Sequence, residues 1–365
     1  MTQLEACLLL DRLPGIGAQR CIKLLIHFGN APAVFDAKPR EWETVPGIGT
    51  LAYKTLATWR EYEDQVKQCI EDLKKHKVKY LFLGSDDYPL PLTYCPDAPL
   101  VLFYQGTLEF KDRKILSIVG TRRNTPHGRA FCQELIQNLK PYDPIICSGL
   151  ARGIDFIAHR EALKQGMQTV ACLAHGFDRI YPESHSSIAQ EILNSGGLLT
   201  EFLPEAAFHR GNFPKRNRLI AGMAHATVVI ESGEKGGSMK TANLAHQYGR
   251  ELFVVPGRYS DYKSQGCHQL LVEQKAQLIS KPEHLIDALG WETFTKPKPI
   301  QKELFTELTQ QQQSLIQTMQ TNTKVHLDVI ALETKQKIGV VAAALMDLEM
   351  KGVVRALPGK YYELI

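Results

Sequence analysis

Within Gly211-Asn212-Phe213-Pro214-Lys215-Arg216-Asn217-Arg218-Leu219-Ile220-Ala221-Gly222, three cations and two amides surround one aromatic ring. Such a set suits a polyanion: the cations meet phosphates, the amides meet base edges or sugars, and the ring offers a face for stacking. The apolar run Ala226-Thr227-Val228-Val229-Ile230 that follows reads as a buried strand. A strand of that kind cannot absorb the charges, so the cations are expected on a connection at the rim of a sheet.

Three further segments carry groups that could act on an anion. Gly120-Thr121-Arg122 follows a strand at once and precedes a helix near Pro126. A glycine there lets an anion approach the backbone, the helix N-terminus adds positive potential, and Arg122 adds a forked donor; a plain turn with a solvated arginine is the competing reading. Ser148-Gly149-Leu150-Ala151-Arg152-Gly153-Ile154-Asp155 forms a second such loop, with Gly149 and Arg152 as candidate contacts and Asp155 also suited to capping the next helix. Its serine lacks the flanking glycines of a hydrolase elbow. Gly233-Glu234-Lys235-Gly236-Gly237-Ser238-Met239-Lys240-Thr241 fails the nucleotide-hydrolase loop pattern, since Met239 separates the glycines from Lys240. Gly237 and Ser238 could still cradle a phosphate on their amides. Glu201 and Glu231 each end a strand; they could meet as an acid–base pair or hold the basic segment by ion pairing.

The elements that would position these loops alternate. Apolar runs at Lys79–Leu83, Ile115–Val119, Pro144–Cys147, Thr169–Leu173, Gly197–Thr200, Thr227–Ile230 and Glu251–Val255 are separated by helical patterns such as His127–Lys140, Asp155–Gln165, Ser184–Ser195 and Thr241–Tyr248. This predicts an α/β fold with a doubly wound parallel sheet over residues 76–294, whose ligands bind beyond the C-terminal strand ends. Residues 1–75 predict a helical module. It contains Leu13-Pro14-Gly15-Ile16-Gly17 and Val45-Pro46-Gly47-Ile48-Gly49, a tandem helix-hairpin-helix in which isoleucine plugs the angle between helices. Residues 295–303 read as a Pro/Lys-rich linker. Residues 304–365 predict a winged helix, with helices over Leu304–Thr318, Leu327–Glu333 and Lys335–Lys351 and a hairpin of Val353–Leu357 and Tyr361–Leu364. The third helix has few groups that read bases, which favours a structural or protein-contact role.

The 365 residues are 44% apolar and 22% charged, with a formal net charge of +4. Residues 1–76 carry ten basic and ten acidic side chains and residues 300–365 seven of each, so the excess lies between, 26 against 22. An electrostatic footprint therefore belongs to the middle domain. The eight cysteines show no CxxC spacing, which argues against a zinc site or a secreted disulfide framework and favours a reducing cytoplasm. No apolar run approaches a membrane span, the start carries no basic leader, and neither a metal nor a cofactor is expected.

Taken together the loops resemble the DprA/Smf family, the DNA-processing proteins of natural transformation. The phrases are Ile118-Val119-Gly120-Thr121-Arg122, Ser148-Gly149-Leu150-Ala151-Arg152-Gly153-Ile154-Asp155-Phe156-Ile157-Ala158-His159, Tyr181-Pro182-Glu183-Ser184-His185, Phe213-Pro214-Lys215-Arg216-Asn217-Arg218-Leu219-Ile220-Ala221-Gly222, Gly237-Ser238-Met239-Lys240-Thr241-Ala242 and Val254-Val255-Pro256-Gly257. The resemblance implies an extended Rossmann-like domain between a SAM-like helical module and a winged helix. It also implies a non-catalytic recombination mediator that binds single-stranded DNA, shields it and loads the RecA recombinase. DNA contacts would come from Arg122, Lys215, Arg216 and Arg218, and a homodimer would form near His268, Leu271, Leu278 and Ile279. Where many relatives have Tyr-Pro-x-x-Asn this chain has His185, and Glu183 stands where some place a lysine. The glycine-rich loops are also similar to those of lysine-decarboxylase-like nucleotide hydrolases, which cleave an N-glycosidic bond; there Arg122 and Glu231 would be the working residues.

Overall fold

The structure, a computed structural model, describes residues 1–203, 206–292, 309–319, 324–351, 353–357 and 360–364. Residues 1–294 form one compact unit and 295–365 a second. The expected linker, the start of the first winged-helix helix and the Pro358-Gly359 turn lie outside the described residues.

The larger unit is built on a nine-stranded sheet. In chain order its strands are β1 (Lys79–Phe82), β2 (Val101–Gly106), β3 (Ile115–Gly120), β4 (Ile145–Ser148), β5 (Thr169–Cys172), β6 (Gly196–Thr200), β7 (Ala226–Ile230), β8 (Glu251–Val254) and β9 (Gln277–Leu278). They lie side by side as β1-β2-β6-β5-β4-β3-β7-β8-β9. From β6 to β9 every pairing is parallel, while β2 pairs antiparallel with β6 and β1 with β2. The doubly wound sheet is therefore extended at one edge by an antiparallel hairpin whose second strand the apolar pattern missed. Strands β4 to β7 are buried along their whole length because helices cover both faces.

Six helices precede β1: α1 (Gln3–Arg12), α2 (Ala18–Phe28), α3 (Ala31–Asp36), α4 (Pro39–Trp42), α5 (Thr50–Ala57) and α6 (Glu63–Lys75). A capping box between Thr2 and Glu5 opens the first. Ile16 and Ile48 are buried as hairpin plugs, and Arg20 ties the two turns by donating to the carbonyls of Gly15 and Gly47. The module's core continues into Val101, Phe103 and Leu203 of the sheet unit. After β1 come α7 (Leu90–Thr93), α8 (Pro126–Leu139), α9 (Ile154–Lys164), α10 (Ser186–Asn194), α11 (Asn212–Met223), α12 (Gly237–Gln247), α13 (Gln265–Val272) and α14 (Pro282–Leu289). One face of the sheet packs on Leu92, Leu219, Met223, Met239 and Leu270 from α7 and α11 to α13. The other packs on α8, α9 and α14 through Phe131, Leu135, Ile157 and Leu285, with Ile188 and Ile192 of α10 alongside.

The basic segment is not a loop, as expected, but α11. Its proline sits in the first turn, where a missing N–H costs nothing, and Arg216, Leu219, Ile220 and Met223 make the buried stripe. The smaller unit holds α15 (Gln310–Met319), β10 (Val325–His326), α16 (Leu327–Thr334), α17 (Ile338–Met350), β11 (Val354–Leu357) and β12 (Tyr361–Leu364). Its strands pair in the order β10-β12-β11 around a core of Leu315, Ile330, Val341, Leu345 and Leu348, the winged-helix arrangement. Among the described residues no helix is long and apolar enough to cross a membrane, and no group of three His, Cys, Asp or Glu is placed to hold a metal.

Candidate nucleic-acid interface

A cleft of about 1130 Å³ opens over the C-terminal ends of the parallel strands. The turn after β3 contributes Arg122 and Arg123, and the turn after β4 contributes Gly149, Ala151 and Arg152. The long connection after β5 contributes Arg179 through Ser184 and Ser186; the chain after β6 contributes Phe208, Phe213 and Arg216. Five arginines line it against a single acid, Glu183. Arg122, Arg123, Arg152 and Arg179 are exposed, with Arg179 bridged to Asp178 at 2.5 Å.

Aromatic rings form one wall. Tyr181 lies 5.2 Å from Phe208 and 5.6 Å from Phe213, ring centre to ring centre, and Phe208 lies 6.0 Å from Phe213. Tyr181 is 46% and Phe208 39% exposed, so their surfaces remain available to a flat ligand. Arg179 lies 5.7 Å over Phe208.

The floor is held by buried charge. Arg216 is only 5% exposed. Its Nη1 donates to the Gly149 carbonyl at 2.6 Å and to the Cys172 carbonyl. Asp155, also buried, accepts from the Gly149 N–H at 3.1 Å and the Ala151 N–H at 3.4 Å. Burial pushes the Asp155 carboxyl above its usual range, and Arg216 together with those two amides offsets only part of that rise. A Cβ on Gly149 would sit 2.6 Å from the Arg216 guanidinium carbon, so the position admits only glycine without displacing the cation. Leu150 takes the left-handed conformation with φ 57°, and its carbonyl accepts from His185 Nδ1 at 2.9 Å. The buried His185 also rests against Phe156. This gives the His185 departure a structural role: it ties the start of α10 to the β4 loop.

The two glycine-containing turns touch. Gly153, at φ 83°, has no room for a side chain against the Thr121 carbonyl, and the Ile154 N–H donates to that same oxygen at 3.2 Å. Glu231, whose backbone carbonyl accepts from the Thr121 N–H at 2.7 Å, aims its carboxylate at the N–H and hydroxyl of Thr125, the cap of α8.

Several expected contacts lie elsewhere. Arg218 is bonded to Glu201 and lies 4.0 Å from Asp97, which also accepts from Tyr248 at 2.8 Å. Lys215 is exposed on the first turns of α11 but outside the cleft lining, close enough to Glu201 and Asp11 to pull on both carboxyls. Asn217 accepts from Arg216 and donates to the Gly237 carbonyl. Gly237 and Ser238 open α12 away from the cleft lining, and the Ser238 hydroxyl donates to Ser232 at 2.8 Å. Glu201 and Glu231 do not meet: β6 and β7 are four strand positions apart, roughly 19 Å at the usual interstrand spacing. Arg179 and Phe208 line the cleft without having been expected there, because nothing local marks which connections converge above a sheet.

At the expected dimer surface, Leu278 of the edge strand β9 is 48% exposed and Leu271 is half-buried. His268 Nε2 donates to the Gly257 carbonyl at 3.0 Å. Ile279 is 1% exposed and belongs to the core beneath the sheet, which removes it from that surface.

Residues 79–290 match the family model of DNA recombination-mediator protein A, and residues 301–360 that of the DprA winged helix domain. The chain belongs to the DNA recombination-mediator protein A family. Protein Smf of Escherichia coli is 32% identical over 287 residues, covering 77% of this chain and 76% of its own. The DNA processing protein DprA of Bacillus subtilis is 33% identical over 263 residues, 70% of this chain and 88% of its own. Among solved structures, DNA processing protein A of Streptococcus pneumoniae superposes with a TM-score of 0.68 at 28% identity, covering 81% of this chain and 99% of that one. The single-stranded-DNA-binding DNA processing protein A of Helicobacter pylori gives 0.53 at 30%, covering 59% and 98%. Its match, like that of the recombination-mediator model, leaves part of this chain uncovered.

Proposed function

We propose that this chain binds single-stranded DNA in the cleft as a homodimeric recombination mediator of natural transformation, shielding the strand and passing it to RecA in the cytoplasm. The observation that carries this reading is the joining of four exposed arginines with a wall of partly exposed aromatic rings in one cleft. Arg122, Arg123, Arg152 and Arg179 would neutralise phosphates, and Tyr181, Phe208 and Phe213 would stack on bases that a duplex keeps paired. Family membership and the single-stranded DNA binding of the Helicobacter pylori protein support it. In this reading the helical module of residues 1–75 and the winged helix of 304–365 flank the DNA-binding domain of 76–294, and the exposed edge near Leu278 and Leu271 serves the dimer.

No catalysis is assigned. The glycosidase alternative needs a carboxylate beside Arg122, whereas Glu231 spends both oxygens on Thr125. Incubation with nucleoside monophosphates should release no base. The deciding experiment is titration of labelled oligo-dT and of a matched duplex at two salt concentrations. Tight, salt-dependent binding of the single strand is expected, and indifference to oligo-dT in dilute buffer would overturn the reading.

A further inference from the structure

We propose that Asp155 and Arg216 are positioning residues for the cleft, a pair of buried opposite charges that grips Gly149 at both its N–H and its C=O and so fixes the arginine-bearing turns above it. The inference rests on the single-strand reading and gives Arg216 a role different from phosphate contact. Its guanidinium is buried and committed to the carbonyls of Gly149, in the turn after β4, and Cys172, the last residue of neighbouring β5. Asp155 completes the grip from α9 through the amides of Gly149 and Ala151. His185 holds the next carbonyl, that of Leu150. From this turn the constraint passes to the neighbouring one, because Ile154 donates to the Thr121 carbonyl beside Arg122. Arg152 and Arg122 thus stand on two turns locked to one buried anchor. Long side chains aimed at a polyanion lose less freedom on binding when their backbone is already fixed.

The pair yields a sign that separates positioning from direct contact. Asp155→Ala takes negative charge away from beside a polyanion, and with it the one oxygen on which both amides rest. Coulomb's law alone would then tighten DNA binding. Loss of the grip on Gly149 and Ala151 would weaken it instead, by about tenfold for a loop hydrogen-bond pair of this kind. Arg216→Lys keeps a cation able to meet phosphate but replaces the rigid planar fork with a compact, strongly hydrated ammonium on a flexible stem.

The test measures oligo-dT affinity of the full chain for wild type, D155A, R216K and R122A, together with amide hydrogen exchange of residues 149–152 in the absence of DNA. Positioning predicts faster exchange in D155A and R216K and roughly tenfold weaker binding in both. Tighter or unchanged binding in D155A, or wild-type affinity in R216K, overturns it, as does unchanged exchange. Should D155A fail to fold, R216K decides alone. A wild type that ignores oligo-dT, or an R122A variant that binds as wild type, would instead remove the cleft reading itself.

Discussion

Arg216 occupies the space that a side chain on Gly149 would fill. The guanidinium carbon lies 2.6 Å from where that Cβ would be, and its Nη1 bonds the Gly149 carbonyl. Gly149→Ala should therefore expel the cation from its seat. About 1–3 kcal/mol of stability is expected to be lost, as for overpacking in a rigid interior, with weaker single-strand binding. Chemical denaturation of the two proteins checks the first and oligo-dT titration the second.

Arg122→Ala and Arg152→Ala should weaken binding to all single-strand sequences alike. Each lost phosphate contact should flatten the dependence of log affinity on log salt by about 0.7. Titrations at several salt concentrations read this directly, and an unchanged slope in both variants would contradict their role.

Arg218→Ala should act on the fold rather than the slope. It leaves the Glu201 carboxylate without its bonded cation, and roughly 3 kcal/mol of stability is expected to go with it. The discriminating measurement is a lowered melting temperature in a protein whose salt dependence matches wild type.

Tyr181→Ala and Phe208→Ala remove stacking surface without removing charge. Each should cost about 1–3 kcal/mol in oligo-dT binding, with the salt slope retained. An abasic oligonucleotide should bind wild type and variants with similar affinity.

His159 is buried, with Nδ1 2.7 Å from the Thr169 hydroxyl, and burial pushes its pKa down to about 3. The unfolded chain takes up this proton near pH 6.5 and the folded chain does not until about pH 3. Stability should thus fall as pH drops through that window, by about 1.4 kcal/mol per unit for one histidine. His175 and His225 shift the same way, burial again being the main cause. Urea unfolding at pH 7.5 and 5.0 should show the loss, and His159→Gln should shrink the difference between the two.

Much of the central sheet was legible because its strands are apolar runs of uniform burial. The exceptions have local causes. β2 follows the Pro-rich stretch of residues 89–99 and ends in polar residues, and β9 has only two residues. The basic segment hid its helix because Arg216, a cation, stands at a core position of the buried stripe. Charge pointed to the neighbourhood of the cleft but to only some of the residues that line it, Arg122, Arg152 and Arg216 among them. Lys215 and Arg218 sit on the same helix as Phe213 yet outside the cleft lining, while Arg179 and Phe208 reach it from connections whose convergence no spacing encodes.

The first helices share one interior with β2. A shortened product beginning at residue 76 would put Val101, Phe103 and Leu203 into water on one face of the antiparallel border, an apolar patch prone to self-association. Evolution can thus vary the outer faces of those helices freely, but it cannot discard them without re-lining that border.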